Sequence, residues 1–313
     1  MGSLHAKLLA RDERVRVAAI YDLAPERAQA CAQEHGAQAV ESVEALIEAA
    51  DAIFITTPNT QHVAATLSAL EAGRHIFCEK PLATTFEEAQ RVLAASRSSN
   101  KLFQVGHNRR FAPVYQTVKK LIEQDGLAPH SVHSKMNRGE LLNPVWVGNP
   151  AITGGFLYET TIHMLDMLRW LFGEVESVTA HATTHEYPEI DDFSMLFRFR
   201  SGMHATLASS ADATWHFPFE RLEIFAHHAT IETEEMERLS YTAKLEAQPI
   251  TESFEQLERE VRWGYTQEDR AFVEAILSDQ PAAVTALDGY KAVELVDACY
   301  RAARSGERIF LDS

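Results

Sequence analysis

Three side chains carry the types and spacing needed to move a proton and manage the charge left behind. His163 has an imidazole whose ordinary pKa lies near neutrality, which suits a general base. Glu159 stands four residues before it. On an α-helix that spacing puts both on one side, where the carboxylate can fix the imidazole tautomer or bind hydroxyls. Lys80 follows the apolar run 75–78 and precedes Pro81, which steers it towards extended backbone. An ammonium held there can hydrogen-bond a reacting oxygen and stabilise a developing alkoxide. Each group also has a plainer reading. His163 can be a satisfied core histidine, Glu159 and His163 a surface ion pair, and Lys80 a solvated strand end. Asp166, three residues beyond His163, reads as a structural partner for an arginine.

The elements that must position these groups follow two periodicities. In the first third, apolar runs at 15–21 (VRVAAIY), 38–40, 52–56 (AIFIT), 75–78 and 101–106 alternate with helical stretches at 2–11, 25–34, 42–48, 60–72 and from Thr84/Thr85 onward. Pro25 suits a helix start and Gly36 its end. Ser42 caps the third helix, and Glu87 and Glu88 suit the dipole of the fifth. Strands alternating with helices imply a parallel sheet covered on both faces. Beyond residue 110 come a helix at 111–124, a long helix at 158–171, and strand-like runs at 131–138, 176–185, 193–200, 204–210, 221–226 and 230–234. These predict a large, mostly antiparallel open sheet. Helices near 267–277 and 289–303 end the chain. The expected domains are 1–110, of Rossmann type, and 111–313, an α+β domain.

Parallel sheets bind ligands beyond the carboxyl ends of their strands. Asp22 follows VRVAAIY directly. Its carboxylate can accept both hydroxyls of an adenosine ribose and would repel a 2′-phosphate, so NAD is favoured over NADP; otherwise Asp22 initiates a turn. A dinucleotide fingerprint needs a strand and two glycines before Gly2, which would be the third glycine, followed by Ser3 and Leu4. The chain begins too late to contain them. The expectation is an incomplete central sheet, and a natural polypeptide that starts about ten or more residues upstream. The rival expectation is a chain that binds cofactor poorly.

Composition narrows the classes further. The 313 residues hold 29 basic and 45 acidic groups, a formal charge of −16, which disfavours a nucleic-acid partner. No apolar run reaches the roughly 18 residues of a membrane span, and no secretory leader pattern is present. A cytoplasmic protein is expected. Cys31, Cys78 and Cys299 are far apart and read as buried thiols. No histidine spacing suggests a metal, and His227-His228 reads as a turn.

Four segments together resemble the Gfo/Idh/MocA family of oxidoreductases. They are Thr57-Pro58-Asn59-Thr60-Gln61-His62, Glu79-Lys80-Pro81, Gly106-His107-Asn108-Arg109-Arg110-Phe111, and Gly154-Gly155 leading into Glu159, His163 and Asp166. The resemblance covers nearly the whole chain. It implies an NAD(P)-binding Rossmann domain, a C-terminal α/β domain whose open sheet packs on a second subunit as a homodimer or homotetramer, and oxidation of a sugar or cyclitol hydroxyl. It implies Lys80 and His163 as catalytic residues, with Glu159 where the family usually has Asp. It places Thr56, Thr57, Pro58, Asn59, His62, Glu79, Lys80 and Asn108 at the cofactor, although 57–59 can equally be turn chemistry. Arg110, Trp146, Trp263 and Tyr265 are substrate candidates, since arginine and aromatic rings suit a polyhydroxylated ring. The competing class is a non-catalytic nucleotide- or sugar-binding regulator.

Overall fold

The computed structural model describes residues 1–124, 126–138, 145–214 and 217–311. In chain order the elements begin α1 (Gly2–Leu9), β1 (Ala19–Ile20), α2 (Pro25–His35), β2 (Gln38–Ala39), α3 (Val43–Ala49), β3 (Ala52–Ile55), α4 (His62–Glu71), β4 (His75–Glu79), α5 (Phe86–Arg97) and β5 (Phe103–Gly106). They continue with α6 (Pro113–Glu123), β6 (Pro129–Met136), α7 (Pro150–Thr153), α8 (Ile162–Phe172), β7 (Val175–Thr183), β8 (Asp192–Phe199), β9 (His204–Ser210), β10 (Glu220–Ala226), β11 (Ala229–Glu234), β12 (Arg238–Thr242) and β13 (Ile250–Ser253). The last elements are α9 (Arg259–Arg262), α10 (Tyr265–Leu277), α11 (Ala286–Ser305) and β14 (Ile309–Phe310). No helix among the described residues is long and apolar enough to cross a membrane.

The chain divides into two compact units. The first comprises Met1–Gly106 with Tyr265–Tyr290, the second His107–Gly264 with Lys291–Ser313. The segment 265–290 thus leaves the contiguous domain expected from the sequence. The reason is packing: Phe272 of α10, 1 % exposed, meets Phe54 and Phe77 edge-on at 5.3 and 5.7 Å, and the Val105 N–H donates to the Val284 carbonyl.

The first unit holds two parallel sheets, β1-β2 and β3-β4-β5. Among the described residues no strand joins them. VRVAAIY, expected as a seven-residue strand, pairs only at Ala19 and Ile20. A strand is held by its ladder, and with one short neighbour most of this run has no partner. The local helix signals are present: Pro25 in the first turn, Gly36 left-handed at φ 66°, Ser42 accepting from the Ala45 N–H and Thr85 from the Glu88 N–H.

The second unit is built on a nine-stranded sheet, ordered β13-β12-β11-β10-β6-β9-β8-β7-β14. Its pairs are antiparallel except β6 with β9. Phe193, Met195, Phe197 and Phe199 of β8 are buried while Ser194, Leu196 and Arg198 are exposed, the alternation of a sheet with one buried face. Strands β12 and β13 were not anticipated; they are polar, and β13 is an exposed edge.

Replacing Phe272 with Ala empties the aromatic contact that ties α10 to β3 and β4. The expected cost is about 3–5 kcal/mol of folding stability, measured by denaturant titration.

Candidate functional site

In the first unit the chemistry gathers beyond the carboxyl ends of β3, β4 and β5. Strand β3 runs into Thr56-Thr57-Pro58-Asn59, and Asn59 is buried. Strand β4 ends at Glu79, followed by half-buried Lys80 and a cis peptide to Pro81. The His62 ring ties the two turns together, with Nδ1 2.7 Å from the Pro81 carbonyl and Nε2 2.8 Å from that of Thr57. A neutral ring donates to one of these oxygens and only the imidazolium to both. Burial pushes His62 down towards the neutral form, against the pull of the two carbonyls.

Glu79 is buried, and its Oε2 accepts the Lys80 backbone N–H at 3.1 Å. Gly106 pairs with it across the parallel ladder. A Cβ on Gly106 would come 3.1 Å from Glu79 Oε2, so a glycine there keeps room for the carboxylate. The other oxygen, Oε1, lies 3.1 Å from His5 Nε2, and His5 Nδ1 lies 2.8 Å from Asp269 Oδ1. Burial alone would lower the His5 pKa, but the hydrogen bonds and charges of Asp269 and Glu79 outweigh it and raise it to about 10. Neither His5 nor Asp269 was expected from the sequence. They lie 264 positions apart, and no local pattern links them.

The start of α1 comes close to the end of β3: a Cβ on Gly2 would sit 2.9 Å from Thr56 Oγ1. The first N–H groups of a helix have no intrahelical acceptor, and Ser3 there is exposed while Leu4 is half-buried. Asp22 Oδ1 accepts the Ala24 N–H at 2.9 Å and Arg27 Nη2 at 2.6 Å. The turn reading of Asp22 is therefore realised, and it leaves Oδ2 available to a ribose. The Leu4 N–H donates to the Met1 carbonyl at 2.8 Å; a close-approach glycine at the start of a helix and a carboxylate beyond a parallel strand together fit the adenosine and diphosphate of a dinucleotide.

In the second unit Gly155 opens the segment that carries the expected base. Its φ is +119°, and a Cβ there would meet Tyr300 Oη and, at 2.7 Å, Glu189 Oε2. Glu189 Oε1 accepts the Phe156 N–H at 2.9 Å, and the Leu157 N–H donates to Tyr300 Oη at 3.2 Å. A π-helical turn, Leu157–Thr161, then leads into α8. The expected uninterrupted helix over 158–171 is corrected here. The wider i to i+5 bonding covers Glu159, and His163 follows it in the first turn of α8. The Glu159 carboxylate lies 3.8 Å from Arg138 Nη1, and His163 is half-buried on α8.

The remaining candidates divide. Arg110, expected at the substrate, is buried and gives Nε and Nη2 to the two oxygens of Asp166 at 2.8 and 2.6 Å. Asp166 thus has the arginine partner expected for it, and His107 Nδ1 is 3.6 Å from it. Asn108 is buried and donates to the Trp263 carbonyl at 2.8 Å. The guanidiniums of Arg109 and Arg259 lie over the Trp263 ring, at 5.7 and 5.0 Å from its centroid. Trp146 is exposed. Tyr265 belongs to the first unit, edge-on to His5 at 6.3 Å. Among the described residues no cluster of three metal-ligating side chains occurs.

Arg110→Ala strands a buried carboxylate, so a stability loss of about 3–5 kcal/mol is expected in chemical denaturation. An altered substrate KM at full stability would support Arg110 at the substrate.

The comparisons with known proteins agree with this organisation. A family model described as an oxidoreductase family with an NAD-binding Rossmann fold matches residues 1–107, and that family's C-terminal alpha/beta domain matches 119–311. An inositol 2-dehydrogenase of Rhizobium meliloti (strain 1021) is 28 % identical, over 99 % of this chain and 96 % of its own length. An oxidoreductase of Bacillus subtilis (strain 168), YrbE, is 28 % identical over 100 % and 94 %. A levoglucosan dehydrogenase solved with NADH and levoglucosan superposes with a TM-score of 0.91 at 22 % identity, covering 100 % of this chain and 96 % of that one, and shares the fold. The chain belongs to the Gfo/Idh/MocA oxidoreductase family, with its NAD-binding Rossmann unit and its C-terminal α/β domain.

Proposed function

We propose that the chain oxidises a secondary hydroxyl of a sugar or cyclitol, inositol-like rings first, with NAD as the hydride acceptor. The observation that carries this is the placement of Lys80 directly after parallel strand β4, at the end of a Rossmann sheet where ligands bind. Family membership and the inositol 2-dehydrogenase relative support the substrate class. Gly2, Ser3 and Leu4 at the start of α1, Asp22, and the turn from Thr56 to Asn59 would hold the dinucleotide. When bound, its nicotinamide supplies a site for the hydride. Lys80 holds the substrate oxygen and steadies its charge as the C–H and O–H bonds break and the carbonyl forms. His163 takes the hydroxyl proton on Nε2, its Nδ1 being buried. Glu159 tunes the imidazole or binds neighbouring hydroxyls. Trp146 and Trp263 are proposed at the substrate, and a second copy is proposed against the open sheet face.

Turnover followed at 340 nm across a panel of inositols and aldoses tests the reading. Lys80→Ala is expected to lower kcat by about 10²-fold or more with the fold intact, and His163→Ala by about 10²–10⁴-fold. Cofactor bound without turnover of any polyol would favour the regulator.

One observation favours a second reading of the cofactor. Arg27 sits 2.6 Å from Asp22 and offsets the charge that would repel a 2′-phosphate. The expectation is still NAD, with kcat/KM about tenfold or more above that for NADP, each tenfold being about 1.4 kcal/mol. Arg27→Ala should widen the gap, and a wild type faster with NADP would establish the second reading.

A further inference from the structure

We propose that His5 is a positioning residue for Lys80: a buried imidazolium that pins Glu79, so that Glu79 fixes the Lys80 backbone. The role rests on the reading of Lys80 given above. The connection is two hydrogen bonds long. His5 Nε2 donates to Glu79 Oε1 at 3.1 Å, and Glu79 Oε2 accepts the Lys80 N–H at 3.1 Å. The second ring nitrogen faces Asp269 Oδ1 at 2.8 Å. Carboxylates are acceptors only, so a ring satisfying both must carry both protons. A neutral ring would turn a lone pair on one of them.

The surroundings enforce this arrangement. His5 is 1 % exposed, and its ring centroid lies 5.5 Å from Phe54 on β3, 5.0 Å from Phe77 on β4 and 6.3 Å from Tyr265 on α10. The titratable groups facing this cluster are Glu79 from β4, Asp269 from α10, and Lys80 and His62 beside Glu79. Rotation of the buried Glu79 carboxylate would break both bonds at once. The gap beside it exists because Gly106 carries no side chain. The upward shift of the ring, to about 10, keeps it charged through the neutral range. A residue that never releases its proton there cannot be the base; it can hold geometry.

The test separates this role from plain core packing by using two amides. The Gln amide nitrogen can reach where Nε2 sits, towards Glu79, whereas the Asn amide nitrogen reaches only the Nδ1 position, towards Asp269. His5→Asn is expected to lower kcat by at least about tenfold with substrate KM little changed, and His5→Gln to recover most of the loss. Hydrogen exchange of the Lys80 amide, read without cofactor or substrate, should quicken about tenfold in His5→Asn and less in His5→Gln. In the wild type, the NMR signals of the His5 ring should stay those of the doubly protonated form from pH 6 to 9. Ring titration below pH 7 overturns the proposal, as does equal kcat per folded molecule in wild type and His5→Asn. A wild type that turns over no polyol while His5→Asn still quickens Lys80 exchange removes the catalytic reading and keeps the clamp. Unchanged exchange overturns the clamp itself.

Discussion

Burying charge without matching it costs several kcal/mol per ion, and the first unit buries three ionisable groups at one point. Glu79, His5 and Asp269 come from β4, α1 and α10. Each is tolerable only because the others are there, so the cluster fixes these elements on one another. One cation between two carboxylates cannot serve both equally. For Asp269 burial dominates and its pKa is raised, although the His5 hydrogen bond opposes it; for Glu79 burial also acts upward, but the hydrogen bond and charge of His5 and the charge of Lys80 bring it below the ordinary range. The carboxylate held below its ordinary range is the one that accepts the Lys80 amide. Around the cluster, Phe54 and Phe77 stack at 4.6 Å and keep the local dielectric low, which strengthens every one of these bonds.

The second unit applies the same constraint to its own elements. Arg109 and Arg110 are adjacent, yet they serve different partners. Arg109 Nε donates to Glu220 on β10 at 2.8 Å, and Arg110 to Asp166 on α8. Glu220 is completely buried and also accepts the Tyr115 hydroxyl at 2.5 Å. Burial and the neighbouring Glu220 charge push that phenol well above its ordinary value, so it remains a donor. One short turn thereby sets the sheet and α8 in a fixed relation, and α8 carries His163. Ahead of the same helix, Glu189 and Tyr300 take the N–H groups of Phe156 and Leu157. Helix α8 is anchored at its approach and in its second turn, and the π turn lies between the anchors. π-Bulges concentrate at functional sites, and this one carries Glu159.

What the sequence discloses is whatever a few neighbouring residues decide. Pro25, Gly36, Ser42 and Thr85 mark helix ends because each acts on backbone within four positions. The alternation in β8 announces a half-buried strand for the same reason. Features set by distant partners stay hidden. VRVAAIY has strand composition, but its length as a strand depends on what pairs with it, and only two residues are paired. Strands β12 and β13 are too polar to signal themselves, and they exist because β11 offers an edge. The motif segments were legible as motifs. Whether Arg110 meets a ligand or an aspartate was not, because an arginine beside a pocket and one in a buried pair look alike in a sequence.

The histidines make that limit concrete. His5, His62 and His163 each sit on a helix among apolar residues, and periodicity treats them alike. Their partners make them different chemical species. Two carboxylates make His5 a fixed cation, which can orient but cannot exchange a proton near neutral pH. Two carbonyls and full burial make His62 a cross-tie between turns, with its ring pushed towards neutral. His163 alone of the three keeps partial exposure, as the base role proposed for it requires. What surrounds each ring therefore separates three side chains that the sequence presents alike.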